Sequence, residues 1–61
     1  MKLKLTITCD NAAFEDNAGG QCASILNDLA ALITDRDLLP GETFTLRDFN
    51  GNRVGEAKVT R

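Results

Sequence analysis

Few residues in this chain can do chemistry, and their types limit it sharply. The two thiols, Cys9 and Cys22, are the strongest nucleophiles present. They do not form a CxxC pair, and the chain has no His. Without imidazole, zinc sites and nucleophile–base pairs lose their usual ligand and base. Ser24, Thr6 and Thr8 therefore have no base to activate them. Asp10, Glu15 and Asp16 form one loose acidic group, and Asp35, Asp37 and Glu42 another, but neither has the spacing of a calcium loop. Both read as solvated loop charges. Gly19-Gly20 lacks the Lys and Ser/Thr of a phosphate-binding loop, and its acidic neighbours repel phosphate. No catalytic constellation, metal site or cofactor site is expected, so the reading is a non-enzymatic protein.

The elements that position these residues follow from periodicity. Leu3, Leu5, Ile7 and Cys9 alternate with Lys2, Lys4, Thr6 and Thr8, which predicts a half-buried strand over 2–9. Asn17 or Asp16 caps a helix, with Phe14 packing on its first turn. Cys22, Ile25, Leu26, Leu29, Leu32 and Ile33 recur at helical spacing, giving a helix over about 18–35. It ends before Pro40, which cannot continue it. Thr43 to Arg47 alternates again. Asn50-Gly51 then predicts a two-residue hairpin turn. That turn pairs Phe44 with Ala57, Leu46 with Gly55 and Arg47 with Val54, and needs no bulge.

The fold class is α+β, in the order β-α-β-β, with one domain spanning residues 1–61. One helix covers one face of a three-stranded, all-antiparallel sheet with the third strand central. A parallel first and second strand is the rival topology. The expected core is Leu3, Leu5, Ile7, Phe14, Ile25, Leu26, Leu29, Leu32, Phe44, Leu46, Ala57 and Val59, with Leu38 or Leu39 closing one end. Cys9 and Cys22 both point inward and near each other, as buried thiols or, in an oxidising compartment, a disulfide. A domain this small buries only about 60% of its unfolded surface. An enclosed active site is hard to build at that size, which favours a binding module.

Charge is segregated along the chain. Residues 10–42 hold seven acids against Arg36 alone, a net −6, and the remainder carries +4, giving the overall −2. The helix side is therefore acidic, and Asp28, Asp35, Glu15 and Asp16 are its candidate partner-binding residues. The open sheet face carries Lys2, Lys4, Arg47 and Lys58 against Glu56, an alternative nucleic-acid surface. Aromatics are only 5% of the chain, too few for a base-stacking sheet. Phe49 and Val54 lie outward beside the turn, either as a pair that steadies the hairpin or as an apolar anchor for a partner or dimer. A free sheet edge also invites homodimerisation. No apolar run is long enough for a membrane span, and the N-terminus lacks a signal peptide's apolar core. A cytoplasmic location is expected.

The stretch Asp10-Asn11-Ala12-Ala13-Phe14-Glu15-Asp16, the Ile/Leu-rich helix after it, and Leu46-Arg47-Asp48-Phe49-Asn50-Gly51-Asn52-Arg53-Val54-Gly55 resemble small proteins of tailed bacteriophages and prophages. Most of those have no assigned function, so no site residues carry over. The resemblance implies a protein that binds a host or phage protein. Anti-CRISPR and other anti-defence inhibitors, and modulators of host transcription or replication, are the roles it suggests.

Overall fold

The alternating N-terminus forms β1 (Lys2–Ile7), and the amphipathic stripe forms α1 (Ala18–Arg36). β2 (Thr43–Arg47) and β3 (Arg53–Thr60) complete the computed structural model, which describes all 61 residues. A single 3-10 turn, Ala12–Phe14, lies between β1 and α1. The sheet order is β1-β3-β2, and both pairings are antiparallel. The third strand is central, and the parallel arrangement of the first two strands is ruled out.

Asn17, not Asp16, caps the helix: its side-chain oxygen accepts the Gly20 N–H at 3.0 Å. A methyl group on Gly20 would run into that Asn17 side chain. The glycine whose propensity weakens the first turn is the residue that makes room for its cap. At the other end Asp37 has φ 66° and its carboxylate accepts the Leu38 N–H at 2.8 Å. The Leu39–Glu42 turn follows through Pro40 and Gly41, closed by the Glu42 N–H on the Leu39 carbonyl at 3.1 Å.

The hairpin departs from the expected two-residue turn. Phe44 pairs with Ala57 and Leu46 with Gly55 as expected, but Arg47 pairs with Arg53 across a bulge. The loop has three residues, Phe49 to Gly51. Asp48 N–H donates to the Asn52 carbonyl, and Gly51 N–H donates to the Asp48 carbonyl, each at 3.0 Å. Gly51 sits at φ 85°, the left-handed conformation that a three-residue hairpin loop requires at its last position. One extra residue in β3 reverses the faces beyond it. Val54 turns inward, at 7% exposure, and joins the core. Arg53 takes the outward position opposite Arg47.

Phe14, Ile25, Leu29, Phe44, Leu46, Val54, Ala57 and Val59 form the buried cluster. Leu3, Leu5, Leu26 and Leu32 are 41%, 37%, 44% and 41% exposed, against expectation. The reason is width. A helix with its side chains is about 10–12 Å across, and three strands span about 14 Å. α1 packs beside β2 and the 3-10 turn. Leu3 and Leu5 of β1 are left largely uncovered, while Ile7 packs against the core. Leu38 closes the end of the core, while Leu39 is exposed.

Candidate functional site

Asp28 and Asp35 lie two helical turns apart on one face of α1, and both are exposed. Glu15 and Asp16 precede the helix at its far end. A helix of this length spans about 28 Å, so the four acids are spread along it rather than clustered, and Asp28 and Asp35 form the acidic strip on its face. No group of three or more His, Cys, Asp or Glu side chains converges in a metal-binding arrangement. Arg36, the only cation of residues 10–42, is engaged elsewhere. Its guanidinium bonds the Glu42 carboxylate at 2.9 Å and lies 5.3 Å from the Phe44 ring centre. The acidic strip is therefore left without a basic neighbour on the helix.

Beside the strip runs a shallow groove of about 190 Å³ between α1 and β2. Ile25, Leu29, Leu32, Phe44 and Leu46 form its apolar lining, with Asp28 on the helix rim and Arg47 on the strand rim. The Arg47 guanidinium also donates to the Gly51 carbonyl at 3.0 Å, which fixes it toward the hairpin. The helix and its neighbouring strand thus present an apolar recess with a carboxylate at its edge.

The open sheet face is more basic than the sequence suggests. Lys4 and Lys58 are paired neighbours, and Lys2 lies opposite Thr60. Arg47 lies across from Arg53, and Arg53 reaches Glu56 at 3.5 Å. Arg53 is the functional candidate that sequence reasoning missed, because the two-residue turn placed it inward. The same bulge removes Val54 from the surface, so Phe49, at 74% exposure, stands alone at the hairpin tip. The expected Phe49–Val54 surface pair does not exist.

Cys9 and Cys22 do meet, with their Sγ atoms 3.5 Å apart and unbonded. Cys9 is exposed and Cys22 half-buried, so they are not the interior thiols expected. The strand ends at Ile7, and Cys9 belongs to the loop beyond it. The hydrogen bond to Cys22 raises the Cys9 thiol above its ordinary value of 9.0, and desolvation, the Cys22 charge and Asp10 add to that.

Asp48, at 6% exposure, is the one buried charged residue, and nothing in the sequence reading singled it out. One carboxylate oxygen accepts the Asn50 and Asn52 N–H groups at 2.9 and 3.0 Å. The other accepts the Asn11 and Asn52 side-chain amides at 2.8 and 3.3 Å. Burial alone would push this carboxyl up. The hydrogen bonds from Asn52, Asn11 and Asn50 outweigh it and hold the group below its ordinary value. The signal was present as Asp48 three residues before Gly51, a preferred pattern for a turn's first and last positions.

The fold is a one-helix, three-stranded antiparallel α+β domain, and no helix is long and apolar enough to cross a membrane. No family model, curated protein or solved structure matches the chain.

Proposed function

We propose that this chain is a phage-type, non-enzymatic interaction protein that binds a host or phage protein in the bacterial cytoplasm. An anti-defence inhibitor of the anti-CRISPR kind, or a modulator used in host takeover, is the role it fills. The observation that carries the reading is the apolar recess with Asp28 on its helix rim, on an acidic strip whose one helix cation, Arg36, is already paired. Such a surface suits a partner that offers an apolar side chain beside a Lys or Arg. Charge complementarity then sets orientation and association rate. A tagged pull-down from bacterial lysate with nuclease tests it, and a single protein retained after nuclease is the expected result. Asp28→Lys with Asp35→Lys is expected to weaken that binding about tenfold or more with Tm unchanged. Unaltered affinity would remove the helix face from the mechanism.

A second reading is a small nucleic-acid-binding protein, favoured by the outward turn of Arg53. Lys2, Lys4, Arg47, Arg53 and Lys58 then contact phosphates, and affinity falls steeply with added salt. No binding at low salt would end that reading.

A further inference from the structure

We infer that the protein forms a two-fold symmetric homodimer by antiparallel pairing of β1 with β1 of a second copy, centred on Leu5. This stands apart from the identity of any target.

The main-chain geometry identifies the free groups. Thr8 N–H donates to the Val54 carbonyl at 2.7 Å. On the other side of β3, Val59 N–H donates to the Glu42 carbonyl and Gly41 N–H to the Val59 carbonyl, each at 2.9 Å. Hydrogen-bonding direction alternates along antiparallel strands. The even residues of β1 therefore face β3, and the N–H and C=O groups of Leu3, Leu5 and Ile7 face the open edge.

The two edges of the sheet differ. β2 is the shorter edge, with 5 residues against 6 in β1, and follows directly on the Pro40-Gly41 turn. β1 carries no Pro, Gly or bulge, and its inward side chains are all apolar. Of the usual devices that discourage edge pairing, β1 has only Lys2 and Lys4, and both lie on the outward face, away from the apolar side chains.

Symmetry then selects the register. Helices on one side of the joined sheet require inward residues to oppose inward residues. Centring on Leu5 sets Leu5 against Leu5, Leu3 against Ile7 and Lys4 against Thr6. This makes about six new main-chain hydrogen bonds. Centring on Lys4 would oppose two lysines, which is unfavourable. The half-exposed Leu3 and Leu5 become one apolar strip across both copies. The exposed area of 4206 Å² already exceeds the roughly 3,900 Å² usual for a monomer of this mass. The acidic strips and their grooves lie away from β1 and stay open, so the dimer presents two of them.

Sedimentation of the full chain from micromolar to millimolar concentration reads the association, and amide exchange at Leu3, Leu5 and Ile7 locates it. The expected result is a monomer–dimer equilibrium in which those three amides slow as concentration rises. Leu5→Lys is expected to abolish the dimer while the helical circular dichroism remains. In a Cys9→Ser, Cys22→Ser background, Leu5→Cys is expected to cross-link under mild oxidation and Lys4→Cys is not, because the Leu5 pair has a Cα separation of about 5.5 Å. A monomer at every concentration would overturn the proposal. So would a dimer indifferent to Leu5→Lys, or cross-linking through Lys4→Cys alone.

Discussion

The Asn11 side-chain amide donates to the Asp48 carboxylate at 2.8 Å, joining the loop after β1 to the β2–β3 hairpin across the chain. This single contact fixes the 3-10 turn that carries buried Phe14 against the strands that carry Phe44 and Leu46. Asn11 works from both ends, since its side-chain oxygen accepts the Ala13 N–H at 2.9 Å.

Asp48 should make stability pH-dependent in acid. Its folded-state pKa lies below the ordinary 3.8, so the unfolded chain binds the proton more readily. Its contribution is fully present above about 3.8 and is lost as pH falls through the lower folded value. Asp48→Asn places an amide N–H₂ against donors from Asn11 and Asn52. The variant is expected to melt at lower temperature at neutral pH and to lose part of the acid dependence. Thermal melts of both proteins across pH 2–6 check this, and parallel curves would show that Asp48 is not the titrating anchor.

Gly19 and Gly20 are adjacent but should respond oppositely to substitution. No atom lies within 4 Å of a methyl placed on Gly19. Gly19→Ala is expected to stabilise by about 0.5–1 kcal/mol through reduced chain entropy. Gly20→Ala displaces the Asn17 cap, whose loss costs about 1 kcal/mol, and should give no gain. Urea denaturation of both variants distinguishes them, and equal stabilisation would show that the cap contributes little.

The three-residue loop makes a similar contrast between Val54 and Phe49. Val54→Ala removes buried methyl groups and is expected to cost about 2 kcal/mol. Phe49→Ser, at an exposed tip, should change stability by less than about 0.5 kcal/mol. If Phe49 anchors a partner, only binding will fall. A tolerated Val54→Ala would contradict the bulged register.

These contrasts show what the sequence could and could not carry. Period-2 and period-3.6 patterns are local, so β1, α1 and the pairing of Phe44 with Ala57 were legible, whereas the strand order, a long-range property, stayed open between the antiparallel sheet and its parallel rival. The turn was not, because Asn50-Gly51 supports a two-residue loop while Asp48 to Gly51 supports a three-residue one. That single residue moved Val54 into the core and Arg53 onto the basic face. The exposure of Leu3, Leu5 and Leu26 was hidden for another reason. Hydrophobic alternation says which face of β1 is inward, but only the width of the helix decides whether anything covers it. Asp28 was named as a charge, whereas the groove beside it depends on how α1 sits on β2.

Cys9 and Cys22 should oxidise to an intramolecular disulfide under glutathione disulfide. The first thiolate attacks the oxidant and releases one glutathione. The second displaces the other glutathione and closes the Sγ–Sγ bond, so both protein thiols lose their protons and two glutathiones leave reduced. The geometry favours closure over a lasting mixed disulfide, because the sulfurs already lie 3.5 Å apart. The rate should be low at neutral pH, since the Cys9 thiol is held above 9.0 chiefly by its hydrogen bond to Cys22. Below that value each pH unit raises the thiolate fraction about tenfold. Oxidation should therefore accelerate steeply toward alkaline pH and raise Tm, because the bond constrains the unfolded chain. Thiol titration and intact mass at several pH values follow the reaction. Cys22→Ser should instead accumulate a glutathione adduct on the exposed Cys9. If the wild-type protein accumulates the same adduct, the two thiols are not held within reach of each other in solution.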